Sequence, residues 1–275
     1  MTRAKKEKRP TVIVRLAWKL GWKPSHVMEE VLGWVETLVV AAALAAVIMT
    51  FVTVRMHVPT GSMIPTIELR DSFFVDRITY FFRSPKPGDI VVFRQGEIAV
   101  RTVEPSSVAA GAHVPASGKL AFVNGKAVRT VAEADATLAG VADGATIRIQ
   151  TTNGAFSLGT KSATTTFAGL GLVLKDAPTR YVKRLIAVGG QTVQIHDGKV
   201  WVNGVSLTGP RFNRTYIATG AYGVEPTLVP EGKMFMLGDN SADSFDSRYW
   251  GFVDKKAVIG VPYLRVWPLN RFGPM

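Results

Sequence analysis

The chain predicts a membrane-anchored protein, with one N-terminal transmembrane helix and one or two compact units beyond it that contain recognisable strand. Three observations carry that prediction. From Leu38 to Val54 the sequence reads LVVAAALAAVIMTFVTV without a charge, about the length a helix needs to cross a hydrocarbon core. At 275 residues, 47% hydrophobic and 20% charged, the chain can bury a real core, which excludes disorder for most of it. The stretch Tyr181–Gly190, YVKRLIAVGG, reads as a strand ended by glycines.

The anchor comes first in the chain. Trp34 and Val35 extend the apolar run backwards, with Glu36 and Thr37 interrupting it, so the span is placed at residues 34–54. A buried core helix is one competing reading. A cleavable signal peptide is another, but the basic arm is long, the run exceeds the usual apolar region of about 7 to 15 residues, and cleavage would remove the anchor. Arg3, Lys5, Lys6, Lys8, Arg9, Arg15, Lys19 and Lys23 precede the span, whereas the twenty residues after it carry only Arg55 and Arg70. The positive-inside rule therefore makes residues 1–33 a basic cytoplasmic arm and puts everything from about Arg55 onward on the extracytoplasmic side of a plasma (inner) membrane.

Charge and composition exclude several function classes. A substantial part of the net charge of +12 sits in the N-terminal arm, where anionic lipid accounts for it, so no nucleic-acid partner is expected. Cysteine is absent, which removes disulfides, thiol nucleophiles and cysteine-based metal sites. His26, His57, His113 and His196 are scattered without metal-ligand spacing, so no metal and no cofactor is expected. A Ser-His-Asp triad is disfavoured for the same reason, with His57 and His196 left as the histidines that could supply one.

Just past the span lies Pro59-Thr60-Gly61-Ser62-Met63-Ile64-Pro65-Thr66. Its prolines stiffen the backbone, Gly61 allows conformations other residues avoid, and backbone N–H groups beside a serine held this way can face a substrate carbonyl. Ser62 is thus a candidate nucleophile, although a Gly-Ser turn flanked by Pro is also ordinary loop chemistry. Lysine is the next candidate base. With the two-residue period of a strand, Lys183 shares a face with Tyr181 and Leu185 while Arg184 points the other way. Burial on that apolar face would lower the lysine pKa until it accepts a serine proton near neutral pH. A surface lysine beside a surface arginine is the alternative, and the sequence does not bring Ser62 and Lys183 together.

Four motifs in order now carry a resemblance: PTGSMIPT after the span, Gly88-Asp89-Ile90-Val91-Val92-Phe93, YVKRLIAVGG, and Gly238-Asp239-Asn240-Ser241-Ala242-Asp243-Ser244-Phe245-Asp246-Ser247-Arg248-Tyr249-Trp250-Gly251. Over roughly residues 30–104 and 176–272 the chain resembles type I signal peptidases. The resemblance implies a mostly β fold, with one transmembrane helix followed by a mainly antiparallel β catalytic domain formed by residues 55–104 and 176–275. It implies a serine endopeptidase with a Ser/Lys dyad, without cofactor, that cuts signal peptides from secretory preproteins at the lipid bilayer, with the protein export machinery as an indirect partner. Ser62 then matches the nucleophile and Lys183 the general base. Thr60 matches the residue whose hydroxyl joins the Ser62 N–H in the oxyanion hole. Ser244 matches the serine that hydrogen-bonds and orients the lysine, and Asp246 and Arg248 match residues that support the site from behind. The segments at Met56, His57, Val58 and Pro59 and at Asp71 to Arg77 match the groove walls, which makes Phe73, Phe74 and Val75 candidates for strand, pocket or core positions.

Two departures lie within these motifs. Ser241 and Ala242 stand where the family usually has an arginine followed by an acidic residue, so a structural ion pair is expected to be missing. Gly189-Gly190-Gln191 stands where Pro-Gly-Asp is common. Asp239, Ser241 and Asp243 do not form a calcium loop, because Ser244 and Trp250 occupy the positions that need Gly and Glu. Substrate geometry follows from small residues in an Ala-x-Ala pattern, which call for an extended groove with two shallow pockets and an exposed strand edge. Tyr80, Phe81 and Phe82 form an aromatic cluster suited to a membrane interface or to a core.

Residues 105–175 do not fit the family core. They are rich in Ala, Gly, Thr and Ser and are expected to form an inserted β-rich or mixed subdomain. Val103–Gly111, Phe122–Val131 and Thr146–Gln150 are similar to central and C-terminal parts of PDZ domains, without a carboxylate-binding loop before them. Asn213-Arg214-Thr215 fits an N-glycosylation pattern. Two other function classes compete with this reading. A catalytically impaired, membrane-tethered peptide-binding or assembly module would fit Ser241, Ala242 and the insert, but not the retention of Ser62 and Lys183. A self-cleaving DNA-binding regulator would need a helix-turn-helix region where the arm and span lie.

Overall fold

The computed structural model describes residues 11–275; Arg3, Lys5, Lys6, Lys8 and Arg9 of the basic arm lie outside the described residues. Two compact units divide near Val54 and Arg55. In the first, α1 (Val12–Lys19) is followed by α2 (His26–Val47), which continues as a π-helical turn over Ile48–Val52. The helix His26–Val52 has mean hydropathy 2.3 in its most apolar window, none of it buried. α1 packs against this helix, which by length and apolarity is able to cross a hydrocarbon core. Glu36, the acid that interrupts the apolar run, accepts hydrogen bonds from Val12 N and Ile13 N at 3.1 and 2.8 Å. It satisfies two N–H groups that the first turn of α1 would otherwise leave open.

In the second unit, in chain order, come β1 (Thr53–His57), β2 (Ser72–Asp76), α3 (Thr79–Phe82), β3 (Ile90–Gln95), β4 (Ile98–Val103), α4 (Val108–Gly111), β5 (Lys119–Val123), β6 (Lys126–Ala127), α5 (Val131–Ala139), β7 (Thr146–Thr151), β8 (Gly154–Thr160) and β9 (Leu172–Asp176). There follow β10 (Thr179–Val188), β11 (Thr192–His196), β12 (Lys199–Val202), β13 (Val205–Ser206), β14 (Thr227–Leu228), β15 (Lys233–Leu237), α6 (Ser247–Trp250), β16 (Val253–Asp254), β17 (Val258–Trp267) and β18 (Gly273–Pro274). The main sheet has the order β1-β2-β17-β3-β10-β15-β16, with β18 on β17, and β11 to β14 make a smaller sheet. The main-sheet pairs β2–β17, β17–β3, β3–β10 and β10–β15 are all antiparallel. The mostly antiparallel β architecture expected from the sequence is therefore present.

The insert is a continuation of the central ribbon. After β3 and β10 pair as far as Gln95↔Thr179, their extensions β4 and β9 pair from Ile98↔Asp176 to Val103↔Leu172. The inserted sheet, β8-β7-β5-β4-β9, thus runs from Ile98 to Asp176, beginning before the expected boundary at 105. It has its own core, in which Ile98, Leu120, Val123, Leu138, Ile147 and Leu158 are buried. The alternation of Thr146–Thr151, with every second residue buried, is the period-two signature of a strand with one covered face. At the neck, Gly96 runs so close to Arg129 that an added Cβ would lie 2.7 Å from the Arg129 carbonyl oxygen.

Candidate active site

Ser62 sits in a loop held at both ends. Met63 and Ile67 behind it are fully buried, so the turn is pinned by apolar contacts that remain in the core whatever Ser62 does. Across from it the Gly238–Asn240 segment clamps the loop: Asn240 N donates to the Ser62 carbonyl at 3.0 Å, and Asn240 Nδ2 to the Gly61 carbonyl at 3.2 Å. Gly238 permits this approach. A Cβ there would stand 2.5 Å from the Ser62 carbonyl oxygen and 2.2 Å from Ser244 Oγ.

Lys183 lies in the middle of β10 and is only 2% exposed. Its Nζ is 2.5 Å from Ser62 Oγ, although the two residues are 121 apart in sequence. Burial pushes the lysine down from its usual 10.5 to about 8; the negative charges of Asp246, Asp243 and Asp239 work against that shift, and Arg248 works with it. Thr60 Oγ1 is 3.5 Å from Ser62 Oγ. The arrangement can take a proton from a serine hydroxyl and pass it on, which is the basic requirement of acyl transfer. The histidines are engaged elsewhere. His57 Nδ1 is 3.2 Å from Ser72 Oγ, and His196 pairs with Asp197 and stacks on Trp201.

Behind the lysine, Asp246 and Arg248 form an ion pair with both side chains fully buried, Nε to Oδ1 at 2.8 Å. Asp246 also accepts from Gly238 N at 3.0 Å, so it supports the segment that clamps the Ser62 loop. Arg248 donates to the carbonyl oxygens of Ser241 and Ser244 and to Ser241 Oγ. Ser241, one of the departures in the motif, is thus a hydrogen-bonding member of the network, and it also accepts from Ile217 N. The hydrogen bond expected from Ser244 to Lys183 is not formed. Ser244 Oγ is buried against Gly238 with no hydrogen-bond partner among the described residues.

A second charged cluster lies on the opposite face of β10, where strand alternation sends Arg184. Arg184 grips Asp239 with two bonds, Nε to Oδ1 at 2.7 Å and Nη2 to Oδ2 at 2.6 Å, the paired geometry that suits guanidinium to carboxylate. Arg214 adds Nη2 at 3.0 Å from the same carboxylate and 2.7 Å from Thr66 Oγ1. The sequence reading missed Arg214 as a site-supporting residue; its only signal there was a short glycosylation pattern, and no local spacing links it to Asp239. Arg214→Ala is expected to cost about 1.5–3 kcal/mol of stability, the usual worth of a hydrogen bond to a charged group, read as a lowered denaturant midpoint; Arg184→Ala should cost more, since it removes the bidentate pair.

The expected groove residues divide by exposure. Met56, Val58, Phe73 and Val75 are buried, the last two completely. His57 and Pro59 are exposed, and Phe74 is half-buried and stacked on Tyr263. Phe81 and Phe82 of α3 are 83% and 85% exposed, so these two are not core. A free edge lies beside Lys183. β10 pairs with β15 only from Arg184 onward, while Thr179 to Lys183 have β3 on one side and no strand among the described residues on the other.

Comparison with known proteins gives one family. The family model described as signal peptidase, peptidase S26, matches residues 31–267. The chain is similar to a signal peptidase I of Leptolyngbya laminosa, 28% identical over 88% of this chain and 82% of the relative. It is also similar to a probable signal peptidase I of Mycobacterium leprae, 30% identical over 86% and 75%, and to signal peptidase I of Mycobacterium tuberculosis, 30% identical over 86% and 72%.

Proposed function

The chain belongs to the signal peptidase family, peptidase S26, and from that premise we propose that it is a membrane-anchored serine endopeptidase that removes N-terminal signal peptides from exported preproteins, with Ser62 as nucleophile and Lys183 as general base. The observation that carries this reading is the 2.5 Å approach of a desolvated lysine amine to the Ser62 hydroxyl. With a pKa of about 8, roughly a tenth of the amine is neutral at pH 7. That fraction accepts the Ser62 proton as Oγ attacks the scissile carbonyl. The oxyanion is met by the Ser62 N–H and the Thr60 hydroxyl. Collapse passes the lysine proton to the leaving amine, and a water activated by the again neutral Lys183 releases the acyl group. Asp246 and Arg248 hold the Gly238 segment, and through it the serine loop.

The substrate is read as an extended peptide added to the free edge of Thr179–Lys183, with main-chain hydrogen bonds supplying affinity and small side chains fitting shallow pockets near Met56 to Pro59. The apolar helix supports a single membrane span within residues 34–54, and the basic arm supports a cytoplasmic N-terminus with the β unit outside. Cleavage of a preprotein bearing an Ala-x-Ala site by the detergent-solubilised chain tests the proposal. Wild type is expected to give one new N-terminus at that bond, identified by mass spectrometry, and Ser62→Ala to give none. A folded wild-type protein that leaves the preprotein intact, or a Ser62→Ala variant that cuts it, sinks the reading.

A further inference from the structure

We propose that Glu97, at the neck of the inserted sheet, is a positioning residue for the reaction: by holding the Tyr181 hydroxyl it fixes the ring that shields Lys183, and so couples the insert to the general base. The inference rests on the Ser62–Lys183 reading above.

Glu97 lies between β3 and β4, where the chain leaves the main sheet, and is 9% exposed. Its carboxylate is claimed by three groups from two parts of the molecule. Tyr181 OH donates to Oε1 and Thr179 Oγ1 to Oε2, both from β10, while Lys119 Nζ of the inserted strand β5 pairs with Oε2. The Glu97 carbonyl meanwhile accepts from Ala177 N at 2.7 Å, closing the neck across its two strands. A joint serving only to connect two sheets would be cheaper in apolar residues, because a carboxylate taken out of water must be compensated bond by bond.

Those bonds act on one side chain next to the base. The Tyr181 ring packs edge-on against Trp250 at 4.9 Å and stacks beside Phe93 at 6.1 Å, with Lys183 Nζ 5.9 Å from its centroid. Burial first, and Glu97 second, push the Tyr181 phenol above its ordinary range, so it remains a protonated donor wherever the lysine titrates. The insert also reaches the backbone of the residue that carries the neighbouring ring: Arg129 Nη2 donates to the Trp250 main-chain carbonyl at 2.5 Å. The other charges that act on Lys183, Asp246 at the N-cap of α6, Arg248 within it, Asp243, and Asp239 from the Arg184 side of β10, make no hydrogen bond to Glu97. Releasing the Tyr181 hydroxyl would let the ring move and water reach Nζ, favouring the ammonium form.

The test is the pH dependence of kcat/KM for preprotein cleavage by the full-length chain, comparing wild type with Glu97→Ala, Glu97→Gln and Tyr181→Phe, and with Ser62→Ala as control. The rising limb should move to higher pH by about half a unit to one unit in Glu97→Ala and Tyr181→Phe, lowering activity at pH 7 about three- to tenfold and converging with wild type near pH 10. Glu97→Gln keeps an acceptor oxygen and should restore most of the difference. The position of the limb does not depend on the fraction of protein folded, and Tyr181→Phe leaves the carboxylate in place, so poor folding of one variant does not mask the result. A limb at the wild-type position in both variants, whether activity is kept or lost evenly across pH, overturns the inference while leaving the dyad standing. Wild type that does not cut, or Ser62→Ala that does, overturns the dyad reading and this inference with it.

Discussion

Lys183→Ala lowers preprotein cleavage on the order of 10³-fold or more, the scale on which loss of one member of a nucleophile–base pair acts, while the protein stays folded. The base works only when neutral, so wild-type kcat/KM should climb as pH rises through about 8 and then level off. Residual cleavage in the variant should lose that rise. Stability moves the other way. A lysine whose pKa falls from 10.5 unfolded to about 8 folded binds fewer protons in the native state, so its burden is full below about pH 8 and fades as pH climbs to 10.5. Replacing it with an apolar side chain of similar length, Lys183→Met, is therefore expected to raise stability at pH 7 by on the order of 1–3 kcal/mol, with the gain gone by pH 10.5. Denaturant midpoints measured at both pH values check this. A Lys183→Met protein no more stable than wild type at pH 7 would mean the amine is not held desolvated.

Asp246→Ala is expected to cost about 3–5 kcal/mol, because it leaves the Arg248 guanidinium buried without its carboxylate. Both side chains are fully enclosed, and Asp246 also accepts from the Gly238 and Arg248 backbone amides, so water cannot replace what is lost. Chemical unfolding followed by tryptophan fluorescence measures the drop, and the double variant Asp246→Leu with Arg248→Met should recover a large part of it. The milder Asp246→Asn, if folded, has a second signature. Removing a negative charge that favours protonated Lys183 should move the rising limb of the pH profile to lower pH, the direction opposite to that expected from Glu97→Ala. A limb that moves upward instead would show that Asp246 acts by holding the loop rather than by its charge.

Much of the fold and part of the candidate site are legible in the sequence. A charge-free run of helix length favours a hydrocarbon environment, and Leu38–Val52 lies in a helix whose most apolar window is exposed, while Thr53 and Val54 begin β1. Period two in YVKRLIAVGG separated Lys183 from Arg184, and the two side chains do take opposite sides of β10, one toward Ser62 and one toward Asp239. A change in composition marks residues 105–175 in the sequence, whereas the separate sheet that contains them begins at Ile98, because β4 and β9 extend β3 and β10 and no break in strand-like sequence marks the crossing.

Residue types and periodicity determined which groups could do chemistry: a serine in a stiff turn, a lysine on an apolar face, no cysteine and no clustered histidine. Tertiary structure alone decided which of them meet. Ser62 and Lys183 are brought together because Asn240 and Gly238 let one backbone press against another. Arg214 reaches Asp239, and Glu97 reaches Tyr181 and Lys119, only because strand pairing and packing bring distant stretches of the chain together. Local spacing governs a side chain's face; pairing across long stretches of chain depends on sheet register and packing, and those are properties of the assembled core.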